Sequence, residues 1–194
     1  GRARALVLAG VTLFMALHAV QWLAVGTTLA PIEPSESMQT AKDGVITVGA
    51  VFFALALAST ALLGRWFCGW GCHWVAIQDA TAWWLAQRGI RPKPFRARLL
   101  AWVPLALGLY MFAWPVAYRL AIAPWVQPDL RWPGFSAHFT TDAFWSTFPG
   151  LAMAVPFVAV SGVLVVWLLG TKGYCTYACP YGGLFAPEIG RAHV

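Results

Sequence analysis

Charged residues and cysteines are both scarce in this sequence. Only 10% of its 194 residues are charged and 60% are hydrophobic, whereas an ordinary soluble domain carries about 25% charged residues. The composition therefore argues against a soluble globule, and it excludes intrinsic disorder, which needs low hydrophobicity and high charge. Four cysteines are also too few for a small secreted scaffold held together by disulfides.

Long hydrophobic stretches take the place of the missing charge. Four of them contain no Asp, Glu, Lys or Arg, and each is about long enough to cross a bilayer: residues 5–25, 45–63, 99–118 and 151–169. We therefore predict an all-α integral membrane protein with four transmembrane helices. Prolines inside these stretches are expected to bend the helices.

The basic residues are sorted to one side of this four-helix arrangement. The N-terminus, the 64–98 segment and the C-terminus carry Arg2, Arg4, Arg65, Arg88, Arg91, Lys93, Arg96, Arg98, Lys172 and Arg191, and the other side carries Lys42, Arg119 and Arg131. By the positive-inside rule, both termini and the 64–98 segment face the cytoplasm, and the loops 26–44 and 119–150 face outward. The net charge of +6 thus fits a membrane protein better than a nucleic-acid-binding one.

Similar motifs follow the second and fourth stretches. Each stretch ends in Leu-Leu-Gly and leads to a C-x-x-x-C pair, Cys68 with Cys72 and Cys175 with Cys179. We therefore predict a single transmembrane domain over residues 1–194, built from parallel repeats over residues 1–90 and 95–190. Since each repeat has two spans, both cysteine pairs face the cytoplasmic side, where the four thiols can converge.

Three chemistries fit two C-x-x-x-C pairs. Four thiolates bind one iron–sulfur cluster, four thiolates also bind one zinc ion, and each pair can cycle between dithiol and disulfide. Four structural cysteines packed as small hydrophobic residues are the fourth alternative. Glycines beside the first pair expose backbone N–H groups, which stabilise the negative charge of cluster sulfurs.

A further helix is predicted directly after the first cysteine pair. Trp70, Trp74, Ile77 and Trp84 recur at helical spacing, which indicates one moderately amphipathic helix over residues 74–88 at the membrane interface. The basic, proline-containing segment that follows it suits a turn at the anionic cytoplasmic leaflet.

The two motifs also carry a family resemblance. The sequences CGWGC at residues 68–72 and CTYACPYG at residues 175–182 resemble the paired C-x-x-x-C-P motifs of membrane-bound polyferredoxins. That family includes quinol-oxidising subunits of the NapH type, electron donors of the NosR type and oxidase assembly ferredoxins of the CcoG type. The resemblance implies a 4Fe-4S cluster. It also implies three kinds of partner: a quinol pool, a ferredoxin domain or subunit, and a cytochrome or other redox enzyme subunit.

The sequence departs from the family pattern in two places. His73 stands where the family has proline after the second cysteine, and no cysteines of the family's soluble ferredoxin domain follow the second motif. The first departure makes His73 a candidate ligand or proton carrier. The second leads us to expect a membrane domain without that soluble domain.

Two other titratable residues are weighed as functional groups. His18 lies inside the first stretch with Gln21 one turn on, and an ionisable group there indicates either a quinone site or a hydrogen bond between helices. Asp79 either tunes the cysteine site or is an ordinary solvated residue, and we favour solvation. His138, His193 and Asp142 are interpreted as loop residues.

These patterns together predict a membrane electron-transfer protein. Cys68, Cys72, Cys175 and Cys179 are its expected cofactor and metal ligands, with His73 and His18 as further candidates. The expected cofactor is an iron–sulfur cluster of the 4Fe-4S type, with a quinone as a further ligand and zinc as the alternative. The expected location is the bacterial cytoplasmic membrane, and no nucleic acid is expected as a partner. The alternative function is a membrane scaffold or assembly factor with a zinc or dithiol site.

Overall fold

A computed structural model of the protein describes residues 2–29, 32, 36–64, 66–93, 97, 99–127, 129, 134–141 and 151–185. This part of the chain is mostly helical. Three of its helices are long and apolar enough to cross a membrane: Arg2–Val25, Leu100–Val126 and Ala152–Leu169. They correspond to the first, third and fourth stretches predicted from hydrophobicity.

The first helix is followed by a short strand, a second helix and a second short strand. Helix α1 (Arg2–Val25) leads to the short strand β1 (Thr28–Leu29) and then to helix α2 (Ser37–Asp43). Helix α2 ends at Gly44, whose positive φ of 73° suits a residue without a Cβ atom. Strand β2 (Val45–Ile46) follows directly.

The second predicted span is shorter than expected. Helix α3 (Val48–Leu63) has 16 residues, so it is about 24 Å long, less than the hydrocarbon core of about 30 Å. The Thr47 side chain caps its start by accepting from the N–H of Ala50. Because strand β2 and this cap occupy residues 45–47, the helix begins three residues later than the apolar stretch does.

Two helices of unequal length follow α3. Helix α4 (Trp66–Trp70) is a single turn, and helix α5 (His73–Gln87) has 15 residues. Helix α5 matches the helix predicted over residues 74–88, and it packs against α1 and against the last long helix.

The third span continues beyond its predicted end. Helix α6 (Leu100–Val126) runs eight residues past position 118, so Arg119 is helical and does not begin a loop. This is possible because its guanidinium group is paired at 3.1 Å with the carboxylate of Asp43, the last residue of α2. Two π-helical segments in α6, Leu109–Ala113 and Tyr118–Ile122, each precede a proline, which removes a helical N–H and crowds the preceding turn.

Two short sheets join the segments that follow the long helices. Strand β3 (Ser136–Ala137) pairs in parallel with β2, and strand β4 (Thr140–Thr141) pairs in antiparallel with β1, Thr28 opposite Thr141. The segment after α6 is therefore tied to the strand that follows α1 and to the strand that precedes α3.

Three further helices complete the described chain. Helix α7 runs without a break through Leu151–Val158, the π-helical Ala159–Leu164 and Val165–Leu169. Helices α8 (Gly173–Tyr177) and α9 (Pro180–Phe185) follow it. Phe53, Ala56, Phe67 and Phe185 form the buried core between α3, α4 and α9.

Candidate metal centre

The first cysteine motif folds back along the helix that precedes it. Helix α3 ends at Gly64, which has a φ of 61°, and the chain then reverses. The Trp66 indole Nε1 donates to the Ser59 hydroxyl at 2.7 Å, and the Phe67 ring centre lies 5.3 Å from that of Phe52. Cys68 thus lies beside α3, although the sequence alone placed it beyond the helix end.

The second motif makes the same reversal. Helix α7 ends at Gly170, whose φ is 94°. Gly173 then packs so closely that a Cβ atom there would lie 2.6 Å from the Leu169 Cβ. The Tyr174 ring centre lies 6.1 Å from that of Phe157, two turns or more back along α7. A positive-φ glycine therefore directs each motif back towards its own helix.

Each motif places one cysteine within a short helix and the other at the start of the next helix. Cys68 lies in α4 and Cys175 in α8. Cys72 caps the start of α5 with its backbone, because its carbonyl oxygen accepts from the N–H groups of Val75 and Ala76 at 3.1 and 3.3 Å. The N–H groups of Val75 and Trp74 lie near its thiol and lower its pKa. Cys179 directly precedes α9, and the Gly182 N–H donates to its Sγ at 3.4 Å. These backbone donors, like the positive end of a helix, favour negative charge on sulfur.

The four thiols affect one another electrostatically. The pKa of Cys72 is raised to about 12, chiefly by burial and to a lesser extent by the neighbouring charges of Cys175 and Cys68, although the nearby backbone N–H groups of Val75 and Trp74 oppose the shift. Burial likewise raises the pKa of Cys179 to about 12, with contributions from Cys175, Cys72 and Cys68. The two pairs, about a hundred residues apart in sequence, are therefore close enough in the fold for their charges to interact. In the absence of a cation, the thiols of Cys72 and Cys179 are therefore protonated near neutral pH.

Tyr174 lies in the same surroundings. Burial raises the pKa of its hydroxyl, and the charges of Cys179, Cys175 and Cys72 add to this effect. Its ring packs against that of Trp74 with centres 5.5 Å apart, which joins α8 to α5. The tyrosine is thus a neutral, apolar wall of the site.

Gln78 is a site residue that the sequence analysis missed. Its side chain is 1% exposed, and its Nε2 donates to the Cys175 Sγ at 3.1 Å. Helix α5 of the first half therefore reaches a cysteine of the second half. The available signal was an amide one turn after Trp74, a position that helical spacing places beside the apolar residues of the 74–88 helix.

Arg4 is a second residue that the sequence analysis missed. Its Nε donates to the carbonyl oxygen of Gly69 at 2.7 Å, inside the first motif, and its guanidinium group forms an ion pair with Asp79. The Asp79 carboxylate, which the sequence placed in solvent, is partly exposed and also joins α5 to the start of α1.

The histidines lie in separate places. The His73 ring packs against the Trp74 ring with centres 5.4 Å apart, beside the first motif. His18 is buried in α1, where its Nδ1 lies 3.2 Å from the Thr28 hydroxyl, and its ring packs against Phe14. The backbone N–H of His138 donates to Ile46 in the β2 and β3 sheet. His193 and Asp142 lie outside the described residues.

Comparison with known proteins yields one match. A family model described as a 4Fe-4S binding domain matches residues 45–92 and 151–187, which include both cysteine motifs and the helices around them. No curated protein and no solved structure matches the chain. The match supports a ferredoxin-type iron–sulfur protein, and its cofactor is an iron–sulfur cluster of the 4Fe-4S type.

The chemistry of the donor set suits an iron–sulfur cluster. Among the residues that the structure describes, no group of three or more His, Cys, Asp or Glu side chains is already arranged around one ion site. Cysteine thiolates are the usual ligands of iron–sulfur clusters. The Gly182 N–H at the Cys179 Sγ is a donor of the kind that stabilises negative charge on cluster sulfurs.

Proposed function

We propose that the protein is a membrane electron-transfer protein in which Cys68, Cys72, Cys175 and Cys179 together hold one 4Fe-4S cluster. The electrostatic coupling of thiols from two distant motifs carries this proposal, and the family match over both motifs supports it. Four cysteines are all that the sequence contains and all that one such cluster requires.

The residues around the thiols have a clear part in this function. The cluster, when bound, takes up and releases one electron at a time. The N–H groups of Trp74, Val75 and Gly182 stabilise negative charge on Cys72 and Cys179, and such donors favour the reduced form. The aromatic rings of Trp74 and Tyr174 keep water from the site, which lowers the reorganisation that accompanies each electron transfer.

The direction of insertion follows from the charge distribution. We propose that both termini and the 64–98 segment face the cytoplasm, because ten of the thirteen basic residues lie there. The parallel repeats, residues 1–90 and 95–190, are supported by the reversals at Gly64 and Gly170, which have positive φ in both halves. In this arrangement α3 is the shortest of four spans.

The partners are proposed from the family resemblance. Proteins of the NapH, NosR and CcoG types exchange electrons with a quinol pool, a ferredoxin domain or a redox enzyme in the bacterial cytoplasmic membrane, and we propose the same class of partners here. His18 is the candidate quinone contact. Thr28 donates to Gln21 Oε1, so it accepts from the His18 Nδ1–H and leaves Nε2 free to accept a bond from a hydroxyl group.

Anaerobic purification tests the cofactor assignment. Wild-type protein should be brown, with visible absorbance that dithionite bleaches and about four irons and four sulfides per chain, as a 4Fe-4S cluster requires. Cys68→Ser and Cys175→Ser should each remove the same absorbance, because one cluster needs both motifs. Thr176→Ser is the matched control, since this exposed residue lies between the second pair of cysteines.

Three results would contradict the proposal. A colourless protein with one zinc per chain indicates a structural zinc site, and a colourless, metal-free protein whose thiols titrate between two and four per chain indicates a dithiol relay. If Cys68→Ser leaves the absorbance of the second motif intact, the two motifs do not share one cluster.

A further inference from the structure

Gln78 has an unusual environment for a neutral polar side chain. It lies in the middle of α5 and is 1% exposed, one of the largest fully buried side chains of the described chain. Burying an amide in apolar surroundings is unfavourable unless hydrogen bonds replace its contacts with water. The position of each of its polar atoms is therefore informative.

Both amide hydrogens of Gln78 can be used at once. Its Nε2 lies 3.2 Å from the Trp74 carbonyl oxygen and 3.1 Å from the Cys175 Sγ, and an amide nitrogen has two hydrogens to donate. The opposite orientation of the amide would set its oxygen against the Trp74 oxygen, two acceptors facing each other. The Trp74 carbonyl thus fixes which end of the amide faces the sulfur.

The amide oxygen is left without compensation. Gln78 Oε1 is buried and has no hydrogen-bond partner among the described residues. A side chain kept for packing alone would be replaced by leucine or methionine at no such cost. The hydrogen bonds of the nitrogen therefore determine the orientation of the amide. One of the two acceptors of that nitrogen is the sulfur of Cys175.

We propose that Gln78 is a positioning residue that orients Cys175 and raises the reduction potential of the centre. This inference rests on the proposed function. A neutral donor 3.1 Å from the sulfur stabilises the electron-rich form of a thiolate-bound cluster more than the oxidised form. It does so without a charge of its own, and it acts from the first half of the chain on a ligand of the second half.

A redox titration followed by electron paramagnetic resonance tests the proposal on the purified, iron-loaded protein. Gln78→Leu and Gln78→Met keep the size of the side chain and remove its donors. Gln87→Leu is the matched control, because Gln87 is exposed at the end of the same helix. Both Gln78 variants should have a lower midpoint potential than wild type, and Gln87→Leu should match wild type. Equal midpoint potentials in all four proteins would overturn the proposal.

A double-mutant cycle in the metal-free protein tests the contact independently of any cluster. The melting temperatures of Gln78→Leu, Cys175→Ala and the double variant should be non-additive, because the single changes break the same contact. The same cycle with Cys179→Ala should be close to additive. Additivity in both cycles refutes the contact even if no variant holds iron. Absence of iron from wild-type protein would instead contradict the proposed function.

Discussion

Gly183 of α9 packs directly against the backbone of α6, and this gives the sharpest prediction. A Cβ atom at this position would lie 2.2 Å from the carbonyl carbon of Pro104 and 2.4 Å from the nitrogen of Leu105. Both are backbone atoms, so no rotamer change relieves the overlap. To reach an ordinary contact of 3.4 Å, α9 would have to move by about 1.2 Å.

The cost of Gly183→Ala follows from that displacement. Overpacking a close contact costs about 1–3 kcal/mol, and more when backbone has to move, so we expect about 3 kcal/mol. For a chain of this size the melting temperature should fall by about 6–12 °C. The Gly183 N–H donates to the Cys179 carbonyl oxygen at 3.2 Å, so the shift should also displace Cys179 and reduce the iron bound per chain.

Thermal unfolding in detergent and iron analysis measure both effects. Gly10→Ala is the matched control, since Gly10 lies in α1 with no atom within 4 Å of the added methyl group. It should melt at or slightly above the wild-type temperature, because alanine favours a helix interior. If Gly183→Ala has the same melting temperature as Gly10→Ala and binds as much iron, the packing of α9 on α6 is not as described.

Three other perturbations test the site and its supports. The pKa values of about 12 for Cys72 and Cys179 exceed the ordinary 9.0, so the metal-free thiols should alkylate slowly at pH 8.5. The unfolding free energy of the metal-free protein should be constant below pH 9 and should fall between pH 9 and pH 12. The reason is that the two thiols ionise at a lower pH in the unfolded chain than in the folded one. Gly162→Ala puts a Cβ 2.6 Å from the Ile77 Cγ2, and the double variant with Ile77→Ala should lose less melting temperature than the sum of the single variants. Thr28→Val should cost about 1–3 kcal/mol in unfolding free energy, because it leaves the buried histidine of α1 unpaired.

Each of these predictions has its own contrary result. If the folded thiols are alkylated as fast as free cysteine, burial does not raise the pKa values of Cys72 and Cys179. Strict additivity of the Gly162 and Ile77 changes would exclude their contact. Thr12→Val is the control for Thr28→Val, because Thr12 bonds within its own helix, to the Leu8 oxygen. This change should alter the unfolding free energy by less than about 0.5 kcal/mol.

Hydrophobicity predicted much of the fold because membrane helices are defined by long local runs. Helices α1, α6 and α7 appear where the apolar stretches predicted them. Residues 45–47 were misjudged because Val45 and Ile46 form a strand whose partner, β3, is distant in sequence, and because the Thr47 side chain caps the start of α3. The end of α6 was misjudged for a similar reason, since the charge of Arg119 is paired with Asp43.

The cysteine pairs were visible from spacing, and the residues that support them were not. Gln78 and Arg4 act on the site through contacts 97 and 65 residues apart in sequence. No local pattern distinguishes a glutamine that bonds to a distant sulfur from one on a solvated helix face. Gly64 and Gly170 were noticed as a repeated position, but only their positive φ values reveal that the chain turns back there.

The helices that follow the two motifs each pack against the opposite half of the chain. Helix α5 belongs to the first half, yet it packs on α7 and bonds to Cys175 of the second. Helix α9 belongs to the second half, and its Phe185 packs on Phe53 and Phe67 of the first. Each cysteine pair is therefore held in place by a helix from the opposite half. The environment of each cysteine pair is complete only when both halves are folded, so we expect the site to form in a single cooperative step.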